Sequence, residues 1–289
     1  ALSGDGGDEV WAGYPWHRVE RFESQARATL GPATALAGRL AQALPLSVKG
    51  ARALRHLALA PDQACAVKHA YNQFDFGGKR RLYSTDFAGS VAGHDPLTPF
   101  RDFYRSVQSR DPLDRTMYVD AKTYLVDDIL TKVDKMSMAV SLEAREPLLD
   151  HRLLEFAATV PSSLKLRGGR SKYLLRRVLE RRVPPSILER GKRGFEAPIG
   201  EWLRGALAPM VSDLLLDGRL AARGLFKPTE VQRLWQDHRS ARADHRHRIW
   251  QLLMLELWFR EFIDRKPAAA TGSKRPVNMV RPMPVAEAV

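Results

Sequence analysis

The chain contains 289 residues, of which 44% are hydrophobic and 27% are charged, and its formal net charge is +13. This balance is typical of a soluble globular protein and excludes a disordered one, and no apolar run approaches the roughly 20 residues that a membrane-spanning helix needs. The single cysteine, Cys65, excludes an internal disulfide framework. It fits a reducing compartment, so we expect a cytoplasmic protein.

The positive charge raises the question of a nucleic acid or other polyanion as partner. The arginines are scattered over predicted helices, without the interleaved aromatic residues that stack on bases, so we do not expect nucleic-acid binding. Nor do we expect a metal site at His238, His245 and His247, because neighbouring arginines would repel a cation. Cys65 lies in an Ala-rich segment without a neighbouring base, and we expect it to be inert.

The chain begins with a pattern that favours a strand, a glycine-rich turn and a helix. Ala1 and Leu2 are typical of a strand end, residues 3–9 read SGDGGDE, and a helical pattern starts at Val10 with Asp8 as its expected N-cap. Such a layout places backbone N–H groups against phosphate in α/β enzymes. The acidic residues would repel phosphate unless Mg²⁺ lay between them, so the signal alone is weak.

Helices predominate in the next hundred residues. Residues 19–70 are rich in Ala, Leu and Arg and read as several helices, and residues 71–100 as a helical start followed by loops. Residues 100–118 are helical until Pro112. Glycine and proline mark the expected breaks, at Gly31, Pro32, Pro45, Pro61, Pro96 and Pro99.

The segment Tyr124–His151 contains the densest mixture of charge and apolar residues. One helix face is predicted from apolar residues three or four positions apart, at Leu125, Ile129, Val133, Met136 and Val140. Asp128 and Lys132 stand four apart and can pair on that helix, which Pro147 must end. Charges packed this closely form either a solvated edge or a buried network. For Glu143 and Arg145 we favour a buried structural pair over a substrate-binding role.

The last part of the chain is also predicted to be helical. We expect a helix over Leu148–Val160, an extended piece with a turn over Leu164–Gly169, a basic helix over Ser171–Arg182, and a basic glycine loop over Arg190–Phe195. Further helices reach about Arg265, and residues 266–289 are expected to be a disordered tail. Because the period-2 patterns of strands are nearly absent, the chain is predicted to be mostly α.

Five sequence blocks, in order, resemble the synthetase domain of the glutamine-dependent asparagine synthetase family. The first is the acidic glycine loop Ser3–Glu9 with Gly13 and Tyr14 shortly after it. The others are DDILTKVDKMSMAVSLEAREPLLDH, LKLRGGRSKYLLRR, KRGFEAPIGEW and WQLLMLELWFREFID. The resemblance covers residues 1 to about 264, and five blocks in register are far more specific than any one of them.

The resemblance implies a fold and a reaction. Residues 1–265 would be the helical C-terminal part of an α/β pyrophosphate-loop (PP-loop, adenine nucleotide alpha hydrolase-like) synthetase domain without its N-terminal portion. ATP, with Mg²⁺, would adenylate the side-chain carboxylate of aspartate, and ammonia from glutamine would then attack the aspartyl-adenylate. Lysines and Mg²⁺ suit the negative charge that gathers on phosphate in such a step.

The resemblance also assigns roles to residues. Ser3 and Gly4 match positions that approach the nucleotide, and Asp8 would support that loop or the metal. Asp5 matches an acidic position linked to adenylate formation, and Lys192 matches a lysine that contacts phosphate. Lys172 is a weaker candidate for the same phosphate region. No residue is assigned as a resident metal ligand.

Two family features are absent from these 289 residues: an N-terminal cysteine nucleophile, in whose place stands Ala1, and a Ser-Gly-Gly-x-Asp-Ser loop. We therefore expect a part of a larger enzyme that is inactive alone and needs the missing glutaminase and pyrophosphate-loop regions; a homodimer stays open. One alternative keeps the chemistry but amidates a sugar or peptide carboxylate, or closes a β-lactam ring. Another is a non-catalytic helical module that binds a polyanion.

Overall fold

The computed structural model describes residues 1–44, 48, 50–69, 74, 76–189 and 197–265. Over these residues the protein is mostly helical, as the sequence predicts. Extended pairing among them is confined to three isolated bridges: Leu2 with Arg145 in parallel, and Tyr83 with Phe226 and Arg167 with Arg170 in antiparallel orientation. The predicted tail, residues 266–289, and the predicted loop Arg190–Phe195 lie outside the described residues.

The helices of the first half are short and closely spaced. In chain order they are α1 (Gly7–Val10), α2 (Pro15–Leu30), α3 (Ala33–Gln42), α4 (Ala51–Leu57), α5 (Pro61–His69), α6 (Phe76–Leu82), α7 (Thr85–Ser90), α8 (Thr98–Ser106), α9 (Pro112–Lys122), a π-helix (Tyr124–Leu130) and α10 (Thr131–Met138).

The second half continues in the same way. It contains a 3₁₀ turn (Pro147–Leu149), α11 (His151–Thr159), α12 (Ser162–Lys165), α13 (Tyr173–Leu179), α14 (Pro185–Leu188), α15 (Ile199–Arg204), α16 (Ala208–Leu215), α17 (Arg219–Ala222), α18 (Pro228–Arg239), α19 (Arg246–Trp258) and a π-helix (Phe259–Ile263).

Proline and glycine set many of these boundaries. The predicted break at Gly31–Pro32 is confirmed between α2 and α3, and Pro61 begins α5. The loop predicted around Pro99 and the helix end predicted at Pro112 are wrong, because both prolines lie in the first turn of a helix. A first-turn proline loses no helical hydrogen bond, since its missing N–H would have no partner there.

The central segment only partly follows its predicted helix face. Leu125 and Ile129 are buried, whereas Met136 is 63% and Val140 73% exposed. The π-helix widens the turn between residues 124 and 130, so the face expected from a 3.6-residue period does not continue through it. Within the described part of the chain, the predicted pair of Asp128 with Lys132 is not formed.

The structure divides into two compact units. The first comprises Ala1–Asp75 and Ser90–Glu196, and the second comprises Phe76–Gly89 and Ala197–Val289. The buried side chains of the second unit lie mainly on α15 to α19, and include Leu203, Val211, Leu214, Leu234, Trp235, Ile249 and Leu253. Every predicted site residue in the described part of the chain belongs to the first unit.

The turn after α1 anchors three apolar clusters of the first unit. Trp11 packs with residues of α11, Ala12 with residues of α9 and with Leu166, and Tyr14 with Leu125 and Ile129. Each of the three anchoring residues is buried. Burial of this much apolar surface fixes the glycine loop that precedes them against the surrounding helices.

Candidate active site

The glycine loop is attached by backbone hydrogen bonds to the segment that follows α10. The N–H of Ser3 donates to the carbonyl oxygen of Arg145 at 2.7 Å, and the N–H of Arg145 donates to the carbonyl oxygen of Ala1 at 2.8 Å. This parallel bridge agrees with the extended start predicted for Ala1 and Leu2. It places the loop beside Glu143 and Arg145, and so brings together two groups of predicted site residues.

Short contacts shape the loop itself. The Ser3 hydroxyl donates to the carboxylate of Asp5, and the N–H of Gly7 donates to the carbonyl oxygen of Gly4 at 3.3 Å. Gly6 has φ +82°, and a Cβ built there would lie 2.0 Å from Cδ2 of Leu149. Only glycine meets both the conformation and the contact, so the loop sequence is matched to this geometry.

Asp8 forms an ion pair with Lys172, and the sequence resemblance assigns both residues to nucleotide binding. Lys172 Nζ lies 3.1 Å from Asp8 Oδ1, and both side chains are more than two-thirds buried. The prediction of Asp8 as a helix N-cap is wrong, because Gly6 caps α1 and Asp8 lies in its first turn. The glycine carries the positive φ that this cap requires.

The backbone of Lys172 has a defined conformation and is tied to the turn after α1 by a hydrogen bond. Its backbone is left-handed, with φ 54° and ψ 36°, and its N–H donates to the carbonyl oxygen of Trp11 at 3.1 Å. It caps α13, so the basic helix predicted over Ser171–Arg182 is shorter than expected. A Cβ built at Gly13 would lie 1.9 Å from Asp8 Oδ1 and 2.5 Å from Lys172 Cε. Gly13 therefore leaves the space in which the two charges meet.

Glu143 and Arg145 pair, but they are not buried. Arg145 Nη2 lies 2.6 Å from Glu143 Oε1, and the side chains are 71% and 69% exposed. The favoured prediction of a buried structural pair is therefore wrong in its burial. An exposed ion pair contributes little to stability. Lys192, the other lysine assigned from the sequence, lies outside the described residues.

A cavity of about 400 Å³ borders the Asp8–Lys172 pair. Its wall contains four basic and two acidic side chains: Arg18, Arg170, Lys172, Arg176, Asp8 and Glu189. The rest of the wall is formed by Gly13, Pro15, Gly169 and Ser171. An excess of guanidinium and ammonium groups suits an anionic ligand. The pattern RSKYLLRR indicates part of this basic wall in the sequence, but nothing local indicates Arg18.

Asp120 lies at the centre of a buried polar cluster that the sequence does not predict. Its carboxylate lies 2.7 Å from His17 Nε2 and 2.9 Å from His69 Nε2, and it accepts a hydrogen bond from Trp16 Nε1 at 3.1 Å. Burial opposes its ionisation, but the two histidines prevail and lower the pKa of Asp120 to about 2. These residues come from three helices, so no sequence spacing signals the cluster.

His69 is the cationic partner in this centre. Burial lowers its pKa, but the Asp120 carboxylate outweighs that effect, and the pKa of His69 rises well above its usual value. Nδ1 of the same ring lies 3.4 Å from Cys65 Sγ. The prediction that Cys65 has no neighbouring base is therefore wrong. The cysteine is fully buried, which keeps it from solvent.

Glu9 and Tyr14 connect the polar centre to the glycine loop. The Tyr14 hydroxyl donates to the Glu9 carboxylate, and the Tyr14 ring stacks on Trp16 with 4.0 Å between ring centroids. Burial raises the pKa of Glu9, although the Tyr14 hydrogen bond opposes the change. Burial also raises the pKa of Tyr14, so its hydroxyl stays protonated and acts as a donor.

The asparagine synthase family model matches residues 1–260. The chain belongs to the asparagine synthase family. Asparagine synthetase [glutamine-hydrolyzing] 1 of Bacillus subtilis is 30% identical over 292 residues, which cover 97% of this chain and 43% of the relative. A relative from Mycobacterium tuberculosis is 32% identical over 265 residues, which cover 91% of this chain and 39% of the relative.

Relatives that match a smaller part of the chain carry other names. Amidase chry2 of Gibberella zeae is 28% identical over 166 residues, 47% of this chain and 25% of the relative. The chain spans about two fifths of the length of the first curated relatives it matches. No solved structure matches it.

Two features are absent from the described residues. No group of three or more His, Cys, Asp or Glu side chains among them is arranged to hold a metal ion. No helix in the described part of the chain is long and apolar enough to cross a membrane.

Proposed function

We propose that the chain is part of an ATP-dependent amide-forming ligase that makes asparagine from aspartate with ammonia derived from glutamine. Membership of the asparagine synthase family supports the reaction class. The observation that carries the proposal is the Asp8–Lys172 pair, which borders a basic cavity beside the glycine loop. The two residues belong to different sequence blocks, and the fold brings their charged groups within 3.1 Å.

Each assigned residue has a part in this proposal. Lys172 supplies positive charge toward the phosphates of ATP, and Asp8 keeps its ammonium group at the cavity wall. Ser3 and Gly4 present the loop backbone to the nucleotide, and Asp5 is held by the Ser3 hydroxyl while adenylate forms. A fixed charge of this kind stabilises a transition state because it needs no reorganisation.

Mg²⁺ fits the site only as an ion that arrives with the nucleotide. The described residues offer isolated carboxylates, such as Asp5, and no complete ligand set. Mg²⁺ commonly binds one or two carboxylates together with substrate phosphates, and when bound it would neutralise phosphate charge. Lys192 is proposed for the same phosphate region on the sequence resemblance alone.

Glu143 and Arg145 are proposed to contact the acceptor substrate. The backbone bridge at Arg145 places them next to the loop, and their exposed side chains are free to exchange their mutual pair for a ligand. The guanidinium group of an arginine forms bidentate hydrogen bonds with a carboxylate. Aspartate has an α-carboxylate for this contact in addition to the side-chain carboxylate that reacts.

The test uses the full-length gene product that contains this chain. Purified protein with ATP, Mg²⁺, aspartate and ammonia should release pyrophosphate and form asparagine, and glutamine should replace ammonia. The 289-residue chain alone should release no pyrophosphate, because it holds no Ser-Gly-Gly-x-Asp-Ser loop. Full-length protein that is folded and binds ATP, yet forms no amide with any carboxylate, would overturn the proposal.

The second candidate changes only the acceptor. Relatives named amidases match part of the chain at 28% and 30% identity, so membership of the family does not by itself select aspartate. Pyrophosphate release that depends on a sugar or peptide carboxylate, and not on aspartate, would select this candidate.

A further inference from the structure

A second, larger cavity also has Arg18 in its wall. Its volume is about 610 Å³, and it is formed by one face of α2 and the segment 163–169. It shares only Arg18 and Gly169 with the cavity described above. Volumes of this size are typical of small-molecule sites.

The charge of this second cavity is positive throughout. Its wall contains three arginines, Arg18, Arg21 and Arg167, and no acidic residue. Arg21 is partly compensated, with Nη1 3.7 Å from Asp111 Oδ2. Within the described residues, Arg18 and Arg167 have no carboxylate partner. Two uncompensated guanidinium groups favour a doubly charged oxyanion such as phosphate.

Arg167 is also held in place. Its guanidinium carbon lies 5.3 Å from the ring centroid of Tyr173, and its backbone closes a tight turn with Arg170. Gly168 and Gly169 form that turn with φ +55° and +76°, and a Cβ at either would contact nothing. The turn therefore requires glycine for its conformation, and it leaves the space above it open to a ligand.

The remaining wall is apolar. Phe22 is 62% exposed and Leu164 36% exposed, and Leu166 of the same wall is buried. An exposed phenylalanine beside arginines can pack against a flat apolar group of a ligand while the charges hold its phosphate. The cavity thus combines two recognition elements that a free inorganic anion would not use.

We propose that this second cavity binds an organic phosphate monoester, with its phosphate on Arg18 and Arg167 and its apolar part against Phe22. This site adjoins the proposed active site, with which it shares Arg18 and Gly169. A nucleoside monophosphate and a sugar phosphate share the phosphate group, but only the nucleoside has a flat base for Phe22.

The probe is phenyl phosphate, titrated calorimetrically into the full chain at low ionic strength. We expect a saturable site, dependent on Arg167, that binds phenyl phosphate more tightly than inorganic phosphate. Arg167→Gln should weaken it about tenfold, the loss of one charged hydrogen bond. Phe22→Ala should lower the affinity for phenyl phosphate to that for inorganic phosphate. Circular-dichroism melting shows whether each variant is folded.

Two variants serve as controls. Arg181→Gln removes an exposed arginine outside the cavity and should leave the affinity within about twofold, because bulk charge alone contributes little at a distance. Lys172→Gln should also leave it within about twofold. Equal losses in Arg181→Gln and Arg167→Gln would overturn the proposal, as would a loss in Lys172→Gln without one in Arg167→Gln.

Competition separates the ligand sources. Adenosine monophosphate should displace phenyl phosphate better than glucose 6-phosphate does. The reverse order would overturn the apolar contact. Binding of a single-stranded oligonucleotide that depends on Arg167, together with no binding of phenyl phosphate, would replace the small-molecule site with a polyanion surface.

Discussion

Lys172 Nζ lies 3.1 Å from Asp8 Oδ1, although one residue belongs to the first helix and the other precedes α13. The pair depends on Gly13, whose missing side chain leaves room for both partners. Backbone contacts fix each partner separately: α1 contains Asp8, and the carbonyl of Trp11 holds the N–H of Lys172. The site is thus assembled by tertiary packing around a turn.

Replacing Lys172 tests its proposed charge on the phosphates. In the full-length protein, Lys172→Gln should lower the rate of pyrophosphate formation by roughly 10²-fold, as expected when one preorganised electrostatic contact is lost. Lys122→Gln is the control, since Lys122 is exposed on α9 and has no partner among the described residues. Equal rates for the two variants would remove Lys172 from the mechanism.

Replacing Gly13 tests the packing around the pair. A Cβ at Gly13 would overlap both Asp8 and Lys172, so Gly13→Ala should lower the free energy of unfolding by about 1–3 kcal/mol. Gly93→Ala is the matched control, because its Cβ would meet nothing within 4 Å. Its effect should stay within about 0.5 kcal/mol. Urea unfolding followed by circular dichroism measures both changes.

Replacing Asp120 tests the buried polar centre. Asp120→Asn leaves His69 without its carboxylate partner, and loss of one member of a buried ion pair costs about 3–5 kcal/mol. Asp134→Asn, on the exposed surface of α10, should change the free energy of unfolding by less than about 0.5 kcal/mol. Similar stabilities for the two variants would show that the Asp120 cluster is not an ion pair.

The same pair predicts how stability depends on pH. Because the pKa of Asp120 falls from 3.8 to about 2 on folding, its contribution is present above pH 3.8 and is lost as the pH falls toward 2. Because the pKa of His69 is raised well above 6.5, its contribution is complete below 6.5 and is lost as the pH rises through the folded-state value.

Unfolding of wild type and His69→Gln at several pH values measures this dependence. The stability difference between them should be largest in the acid-to-neutral window and should shrink at alkaline pH. Nitrogen-15 NMR of the His69 ring should show it protonated above neutral pH in the wild type. A ring that titrates near 6.5 would contradict the assigned charge.

Much of the local structure could be predicted from the sequence because its causes are local. The break at Gly31–Pro32 and the turn before Arg170 follow from the backbone limits of glycine and proline. The five sequence blocks likewise indicated the family that the comparison shows. The helix face predicted from apolar spacing was wrong in the central segment. There the π-helix interrupts the 3.6-residue repeat, and Met136 and Val140 are exposed.

The sequence by itself thus determined the helical class, the family and the residues of the glycine loop. Only the tertiary structure decided that Asp8 pairs with Lys172 and that Glu143 and Arg145 pair on the surface. It also decided that two histidines contact the Asp120 carboxylate. Turn and helix preferences act over a few neighbouring residues. Contacts between distant residues depend on how whole helices pack, and no short pattern encodes that packing.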